Sequence, residues 1–242
     1  MSNWLTYIDK KRTLSILQIL QELSRLQNKH DLNFIIIGAL PLLIKGYLKY
    51  KSYWDIDLLF RDERSLKTFI KIPKSESLTI VHFDDSLMVS KDITSFHAVW
   101  AYKRQWVNVD YIIRKGFFEF YTSNMKELKP YTQTIKTKDR TSYIDFYLAH
   151  PWDIIVEKTI SPRMKKELTL KLDMSIDIRH IYTVYEREKD NVEFWNYTFE
   201  KAKYLKAQSE FKKNFLKLLS IASLLGYGDL RTSLRSINLL KK

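Results

Sequence analysis

The chain has 242 residues, of which 41 are Lys or Arg and 28 are Asp or Glu, so its formal net charge is +13. It contains no cysteine, which excludes a disulfide scaffold, a cysteine nucleophile and a thiolate zinc site. Hydrophobic residues make up 45% and aromatic residues 14%, enough for a folded core despite the charge. The positive charge is consistent with polyanionic partners and also with a role only in solubility, and it does not distinguish between the two.

The longest apolar stretch runs from Phe34 to Ile44, which is far shorter than the ~20 residues that span a bilayer. The first residues, MSNWLTYIDKKRTL, lack the basic-then-apolar order and the small-residue cleavage site of a secretory signal. We therefore expect a cytoplasmic protein with no membrane partner.

The first predicted elements are a helix, a buried strand and a second helix. Apolar residues recur at three- and four-residue intervals between Thr13 and Gln27, the period of an amphipathic helix. Phe34 to Ile37 is short, apolar and rich in β-branched residues, which predicts a strand buried on both faces. Gly38 should end this strand, and Pro41 suits the first turn of a helix that continues to Leu48.

The next part of the chain favours extended structure, and from Ser142 onward helical periods dominate. This switch predicts an α+β protein with an α/β core over residues 1–125 and a mostly helical domain over 126–242. Asp84 to Ser86 is a plausible hairpin turn. The predicted extended segments are Asp55–Phe60, Leu78–Phe83, Leu87–Ser90 with Phe96–Tyr102, and Trp106–Ile113.

The tripeptide Asp55-Ile56-Asp57 is the most informative motif, because the two-residue period of a strand places both carboxylates on one face. Such like charges repel unless a cation or a set of donors compensates them. Magnesium prefers carboxylate oxygens and bridges to substrate phosphates, so a magnesium site is one interpretation. The alternative is a solvated strand end whose aspartates face water.

Two further features, Gly38 and Asp110, bear on whether Asp55 and Asp57 form a metal site. Gly38, at a strand-to-helix turn, would let a phosphate approach the backbone amides, although it could also be only a tight turn. Asp110 lies on the polar face of the segment Trp106–Ile113, and three carboxylates converge if that strand neighbours the strand of Asp55. Three such acids can hold metal and accept the proton of an attacking hydroxyl. Without that adjacency, Asp110 is an ordinary polar residue.

Other catalytic classes lack their motifs in this sequence. The five histidines show no zinc-hydrolase spacing, and no glycine-rich loop ends in Gly-Lys-Ser/Thr. The serine-hydrolase elbow, Gly-x-Ser-x-Gly, is also missing. His150 and His180 are therefore interpreted as structural or surface residues.

The pattern GAL(x14)DID, from Gly38 to Asp57, followed by the strand VDYII, resembles the signature of the DNA-polymerase-beta-type nucleotidyltransferases. It is most similar to the abortive-infection (AbiEii-type) toxins and the small-molecule nucleotidyltransferases. The resemblance implies a mixed β-sheet with flanking helices and a helical C-terminal part. It implies Mg²⁺ held by Asp55, Asp57 and Asp110, with Asp110 as base, and a phosphate turn at Gly38 and Ala39.

The resemblance continues weakly over Asp153–Tyr182, where it implies that Lys158 and Arg163 supply positive charge to the triphosphate. Solvated helix charges are the alternative. The implied reaction moves a nucleoside monophosphate from a nucleoside triphosphate such as ATP to a hydroxyl of a protein, a tRNA or a small molecule, releasing pyrophosphate. The toxin relatives imply an antitoxin partner.

The C-terminal segment Lys201–Lys242 has ten basic and two acidic residues, 10 − 2 = +8, on a helical pattern. A basic helical face could receive the phosphates of a tRNA, or it could be only a soluble surface. A second hypothesis is a catalytically inactive nucleotidyltransferase-like protein that binds nucleotide or RNA. It is motivated by Ala39, where relatives have Gly or Ser, and by Tyr53, where many toxin relatives have Thr.

Overall fold

The computed structural model describes residues 3–30, 34–83, 87–90, 93–123, 131–136, 141–170 and 176–224. The chain divides into two compact units, Met1–His150 and Pro151–Lys242. No helix among these described residues is long and apolar enough to cross a membrane.

The first unit opens with a short 3-10 helix, Asn3–Tyr7, and contains both helices and strands. Helix α1 begins and ends close to its predicted bounds, and its residues Ile16, Leu20 and Leu23 are fully buried. The helices are α1 (Thr13–His30), α2 (Ala39–Ile44), α3 (Glu63–Lys71) and α4 (Phe117–Thr122). The strands are β1 (Phe34–Ile37), β2 (Ile56–Phe60), β3 (Thr79–His82), β4 (Leu87–Ser90), β5 (Ile93–Tyr102), β6 (Gln105–Arg114), β7 (Tyr131–Lys136) and β8 (Thr141–Phe146).

The main sheet is mixed, with the strand order β1-β2-β6-β5-β3, and β4 pairs with another part of β5. Strands β2 and β6 are parallel, whereas β1 with β2 and β5 with β6 are antiparallel. The predicted α+β class, a mixed sheet with flanking helices followed by a helical part, is therefore confirmed.

Aromatic side chains fill one face of this sheet. Phe60 and Tyr111 lie on β2 and β6, and Phe69 of α3 covers them with ring centroids 5.1 and 5.5 Å away. Trp100 donates a 2.7 Å hydrogen bond to the Tyr111 hydroxyl, which satisfies both polar groups inside the core. Since side chains alternate along a strand, the residue before Tyr111, Asp110, faces away from this core.

Two parts of the first unit differ from the sequence-based expectation. Helix α2 stops at Ile44 rather than near Leu48, because the chain turns at Gly46, whose φ is +79°. Helix α3 was not anticipated; the side chain of Asp62 begins it by accepting a 2.7 Å hydrogen bond from the Ser65 amide. The proposed turn at Asp84–Ser86 lies outside the described residues.

The hairpin β7–β8 also lacks a sequence-based counterpart, and it belongs to the first unit. Ser24 and Asn28 of α1 both donate hydrogen bonds to the Asp145 carbonyl of β8, at 2.8 and 3.1 Å. The division of the chain falls between His150 and Pro151, whereas the sequence pattern predicts it between residues 125 and 126.

The second unit is helical over its described part. Tyr185, Trp195 and Phe215, from three different helices, pack edge to face with centroids 5.5 to 6.1 Å apart. The helices are α5 (Pro151–Ile160), α6 (Pro162–Leu170), α7 (Ile176–Glu188), α8 (Val192–Tyr204) and α9 (Gln208–Leu224).

Candidate active site

The centre of the site is a pair of aspartates on adjacent strands. In the parallel register of β2 and β6, Asp57 is directly opposite Asp110. Side chains at paired positions of neighbouring strands project from the same face, and the strands are ~5 Å apart. The adjacency on which the predicted convergence of carboxylates depended is therefore present.

Asp55 is linked to this pair by a hydrogen bond to Asn108, which lies on the same strand as Asp110. The Asn108 side chain, two residues before Asp110 on β6, hydrogen-bonds the Asp55 carboxylate. Partial burial and the negative charge of Asp110 raise the pKa of Asp55, whereas Asn108 and the charge of Arg12 lower it. Burial is the larger of the two causes that raise this pKa, and the second shows that the Asp110 carboxylate lies near enough to Asp55 to repel it.

Gly38 lies against Asp57. Its φ of +75° and ψ of −145° are readily adopted only by glycine. A Cβ atom built on Gly38 would lie 1.9 Å from Oδ2 of Asp57, so the missing side chain makes room for that carboxylate. The structure thus gives Gly38 a role in seating Asp57, in addition to the phosphate contact predicted for Gly38 and Ala39.

Sequence reasoning missed His97. It pairs with Asp110 in the register of β5 and β6, and its Nδ1 is 2.7 Å from Oδ1 of Asp110. Both side chains are partly exposed, at 33% and 25%. The contact depends on the hairpin turn at Lys103 and Arg104, which both adopt positive φ although neither is Gly, Asn or Asp. The sequence therefore carried no signal for this register.

A cavity of about 590 Å³ adjoins the acidic residues. Arg12 lies between the rings of Tyr53 and Trp106, with its guanidinium carbon 4.3 and 4.2 Å from their centroids. Sequence reasoning noted Tyr53 only as a departure from toxin relatives and did not consider Arg12. The lining residues are Asp9, Lys11, Arg12, Tyr53, Asp55, Gln105, Trp106 and Asn108.

The side chains at this site match magnesium in their chemistry, although they are not gathered around one point. Among the described residues, no three Asp, Glu or His side chains are already gathered closely enough to surround a metal ion. The donors available at Asp55, Asp57 and Asp110 are nevertheless carboxylates, the ligands that magnesium prefers. Asp57 and Asp110 share a register position and Asp55 lies just before β2, so these three are the residues that would hold such an ion.

Lys158 and Arg163, predicted to bind phosphate, belong to the second unit and converge there on Asp177. Lys158 Nζ donates to Oδ1 of Asp177, and Arg163 Nε lies 3.4 Å from Oδ2. Burial would raise the pKa of Asp177, but the charge and hydrogen bond of Lys158 and the charge of Arg163 hold it below its usual value. These contacts give both basic residues a structural role, and their binding of phosphate stays a prediction.

The same buried cluster makes the stability of the protein depend on pH. Burial and the charge of Lys158 lower the pKa of His180 to about 4. Because the unfolded chain takes up this proton nearer its ordinary value of 6.5, His180 stabilises the neutral-pH fold and loses that contribution as pH falls from 6.5 to 4. The loss of unfolding free energy between pH 7 and pH 4.5, measured by urea unfolding, should therefore be about 2 kcal/mol smaller in His180→Phe than in wild type. Parallel stability losses in both proteins would contradict it.

Helix α9 presents basic residues opposite its buried face. Phe211, Phe215 and Leu218 are fully buried, whereas Lys213 and Lys217 are exposed. The segment beyond Leu224 lies outside the described residues. The described part of α9 thus has an exposed basic face, and binding of tRNA to it stays a prediction.

No protein-family model matches this chain, and no curated protein matches it. Among the solved structures similar to this chain are three with TM-scores under 0.5. A proposed nucleotidyltransferase from H. pylori is 14% identical with a TM-score of 0.46, covering 96% of this chain and 94% of that one. An antigenic nucleotidyltransferase-like protein from Paracoccidioides brasiliensis is 14% identical with a TM-score of 0.42, covering 81% and 92%. JHP933 from Helicobacter pylori is 12% identical with a TM-score of 0.36, covering 97% and 100%. At this level of likeness, function has to be inferred from the site itself.

Proposed function

We propose that the protein is a magnesium-dependent nucleotidyltransferase that moves a nucleoside monophosphate from a nucleoside triphosphate to an acceptor hydroxyl. The observation that carries this proposal is the register that sets Asp57 opposite Asp110, with Asp55 just before β2 hydrogen-bonded by Asn108 of β6. Paired carboxylates on adjacent strands beside a glycine turn are suited to phosphoryl chemistry.

Asp55, Asp57 and Asp110 would hold the ion, which when bound neutralises charge on the phosphates and favours ionisation of a nearby hydroxyl. The acceptor oxygen forms a bond to the α-phosphorus, and the bond from that phosphorus to the α–β bridging oxygen breaks. Pyrophosphate leaves with the electron pair of the broken bond, and a carboxylate oxygen of Asp110 takes the hydroxyl proton.

Gly38 and Ala39 would contribute backbone amides to the triphosphate. Helix α2 has only six residues, so local N–H groups rather than a long helix dipole would make this contact. Ala39 keeps its amide although it lacks a hydroxyl.

The finer assignments follow the resemblance to abortive-infection toxins. We propose that the acceptor is a protein, a tRNA or a small molecule, and that an antitoxin partner restrains the activity. An RNA acceptor is supported by the exposed Lys213 and Lys217 of α9, because basic side chains on one helix face attract backbone phosphates.

The test uses nucleoside triphosphates labelled at the α-phosphate, magnesium, and tRNA, protein extract or small hydroxyl compounds as acceptors. Wild type is expected to transfer label in a magnesium-dependent way, and the Asp55→Asn/Asp57→Asn pair is expected to lose transfer. Equal labelling by the two proteins would remove these aspartates from the mechanism.

A catalytically inactive nucleotide- or RNA-binding protein is the second candidate. It is favoured by one observation, that no three potential ligand side chains in the described residues are already gathered around a metal position. Binding of RNA that is independent of magnesium, without any turnover, would support this candidate over the enzyme.

His97 is expected to position Asp110 for proton transfer. Replacing it with alanine removes the 2.7 Å contact and should lower turnover by about 10- to 100-fold, as is usual when the hydrogen-bond partner of a ligating or catalytic group is lost. His97→Asn, which can still hydrogen-bond the carboxylate, should recover part of the loss in steady-state transfer assays. Turnover of His97→Ala equal to wild type would show that Asp110 needs no such partner.

A further inference from the structure

The cavity beside Asp55 has the features of a binding site for a planar ring. Arg12 is only 7% exposed, although its charge would ordinarily be solvated. It is held between two aromatic rings, where its planar group makes cation–π contacts on both sides. Tyr53 is 68% and Trp106 48% exposed, so both rings keep accessible surface at the cavity.

The net charge of the residues that line the cavity indicates what kind of chemical group would bind there. Asp9 and Asp55 balance Lys11 and Arg12, so the formal charge of the lining residues is 2 − 2 = 0. A polyanion such as a triphosphate gains little from a neutral lining, whereas an uncharged ring gains from stacking and from amide hydrogen bonds. Gln105 provides such an amide.

The position of the cavity relative to the acidic residues indicates which part of a substrate it would bind. Asp55 belongs both to the acidic group and to the cavity lining. Gly38, proposed above as the phosphate turn, is instead beside Asp57 on the β1 side of β2. A nucleotide bound with phosphates at the acids could therefore place its base in the cavity, whose volume falls within the usual range for ligand sites.

We propose that the Tyr53–Arg12–Trp106 cavity is a nucleobase-binding subsite. The base stacks on the accessible surface of Tyr53 or Trp106, and Arg12, held between them, fixes the two rings. The base can come from the nucleoside triphosphate or from a nucleic-acid acceptor, and the chemistry of recognition is the same. The subsite rests on the proposed function for its place in the reaction, but base binding itself needs no metal.

The test is calorimetric titration of the full chain with adenosine, guanosine, cytidine and uridine, without magnesium. At least one nucleoside should bind saturably at millimolar concentration. Tyr53→Ala and Trp106→Ala should each raise its dissociation constant by about 5- to 150-fold, the range of base–aromatic stacking, while Tyr53→Phe should stay close to wild type. Tyr143→Ala is the matched control, because Tyr143 is similarly exposed, at 57%, but lies on β8 outside the cavity lining.

Transfer assays with the same variants assign the source of the base. A raised KM for the triphosphate points to the donor base, and a raised KM for an RNA acceptor points to the acceptor base; both support the subsite. No saturable nucleoside binding, or equal affinity in Tyr53→Ala, Trp106→Ala and wild type, would overturn it and leave Arg12 as a structural brace. Nucleoside binding without any transfer would instead count against the proposed enzyme and leave the subsite standing.

Discussion

Replacing Asp57 with asparagine is expected to lower magnesium-dependent nucleotidyl transfer by about 10³-fold or more. The change removes one of two directly opposed carboxylates, and with it the charge that would hold the ion next to Asp110. Stabilisation of phosphate charge by a bound ion supplies several kcal/mol, and each ~1.4 kcal/mol corresponds to a tenfold change in rate. Asp110→Asn should cause a loss of similar size, because it removes both a ligand and the proton acceptor. The measurement is single-turnover transfer of α-labelled nucleotide.

The fold of these variants should be intact. In Asp57→Asn, removing one of three neighbouring negative charges relieves repulsion, so the midpoint of thermal unfolding should stay unchanged or rise. Asp190→Asn, at an exposed aspartate preceding α8, is the matched control for charge and should transfer label at the wild-type rate. Turnover of Asp57→Asn equal to that of this control would contradict the assigned role.

Gly38→Ala is expected to reduce transfer as strongly as Asp57→Asn. The new Cβ would overlap Oδ2 of Asp57, at 1.9 Å, and the carboxylate would have to turn away from its place beside Asp110. The positive φ adds backbone strain, so a stability loss of about 1–3 kcal/mol should accompany the loss of activity. Transfer assays and urea unfolding of the same preparation separate the two effects.

Gly46→Ala distinguishes the effect of backbone strain from the effect of overlap between the new Cβ and Asp57. Gly46 also has a positive φ, of +79°, but nothing lies within 4 Å of a Cβ built there. This variant should lose stability and keep its turnover. Equal losses of turnover in Gly38→Ala and Gly46→Ala would show that strain alone, rather than displacement of Asp57, explains the effect.

Periodic elements of the fold could be predicted from sequence. Helix α1 and strand β1 carry strong helical and buried-strand patterns, and their positions match those expected. The hairpin β7–β8 could not be predicted in this way, because Tyr131–Lys136 is mostly polar and its stability comes from pairing and from contacts with α1. The early end of α2 depends on the conformation of Gly46, which a helical apolar pattern does not reveal.

The candidate site also contains some residues that could be predicted from the sequence and others that could not. The alternation of Asp55 and Asp57, and of Asn108 and Asp110, could be read along single strands, so the acids could be named before their adjacency was known. His97 and Arg12 act across elements, and their places depend on sheet register and on how the chain enters α1. Contacts between different elements produce no periodic pattern in the sequence from which they could be predicted.

Binding of the ion itself tests the central claim most directly. Calorimetric titration of Mg²⁺ into wild type and into the Asp57→Asn/Asp110→Asn pair, each saturated with a non-hydrolysable nucleoside triphosphate, compares the site with and without its opposed carboxylates. We expect saturable binding to wild type and its loss in the pair. Equal affinity in the two proteins, or no binding to wild type, would contradict a magnesium site between β2 and β6.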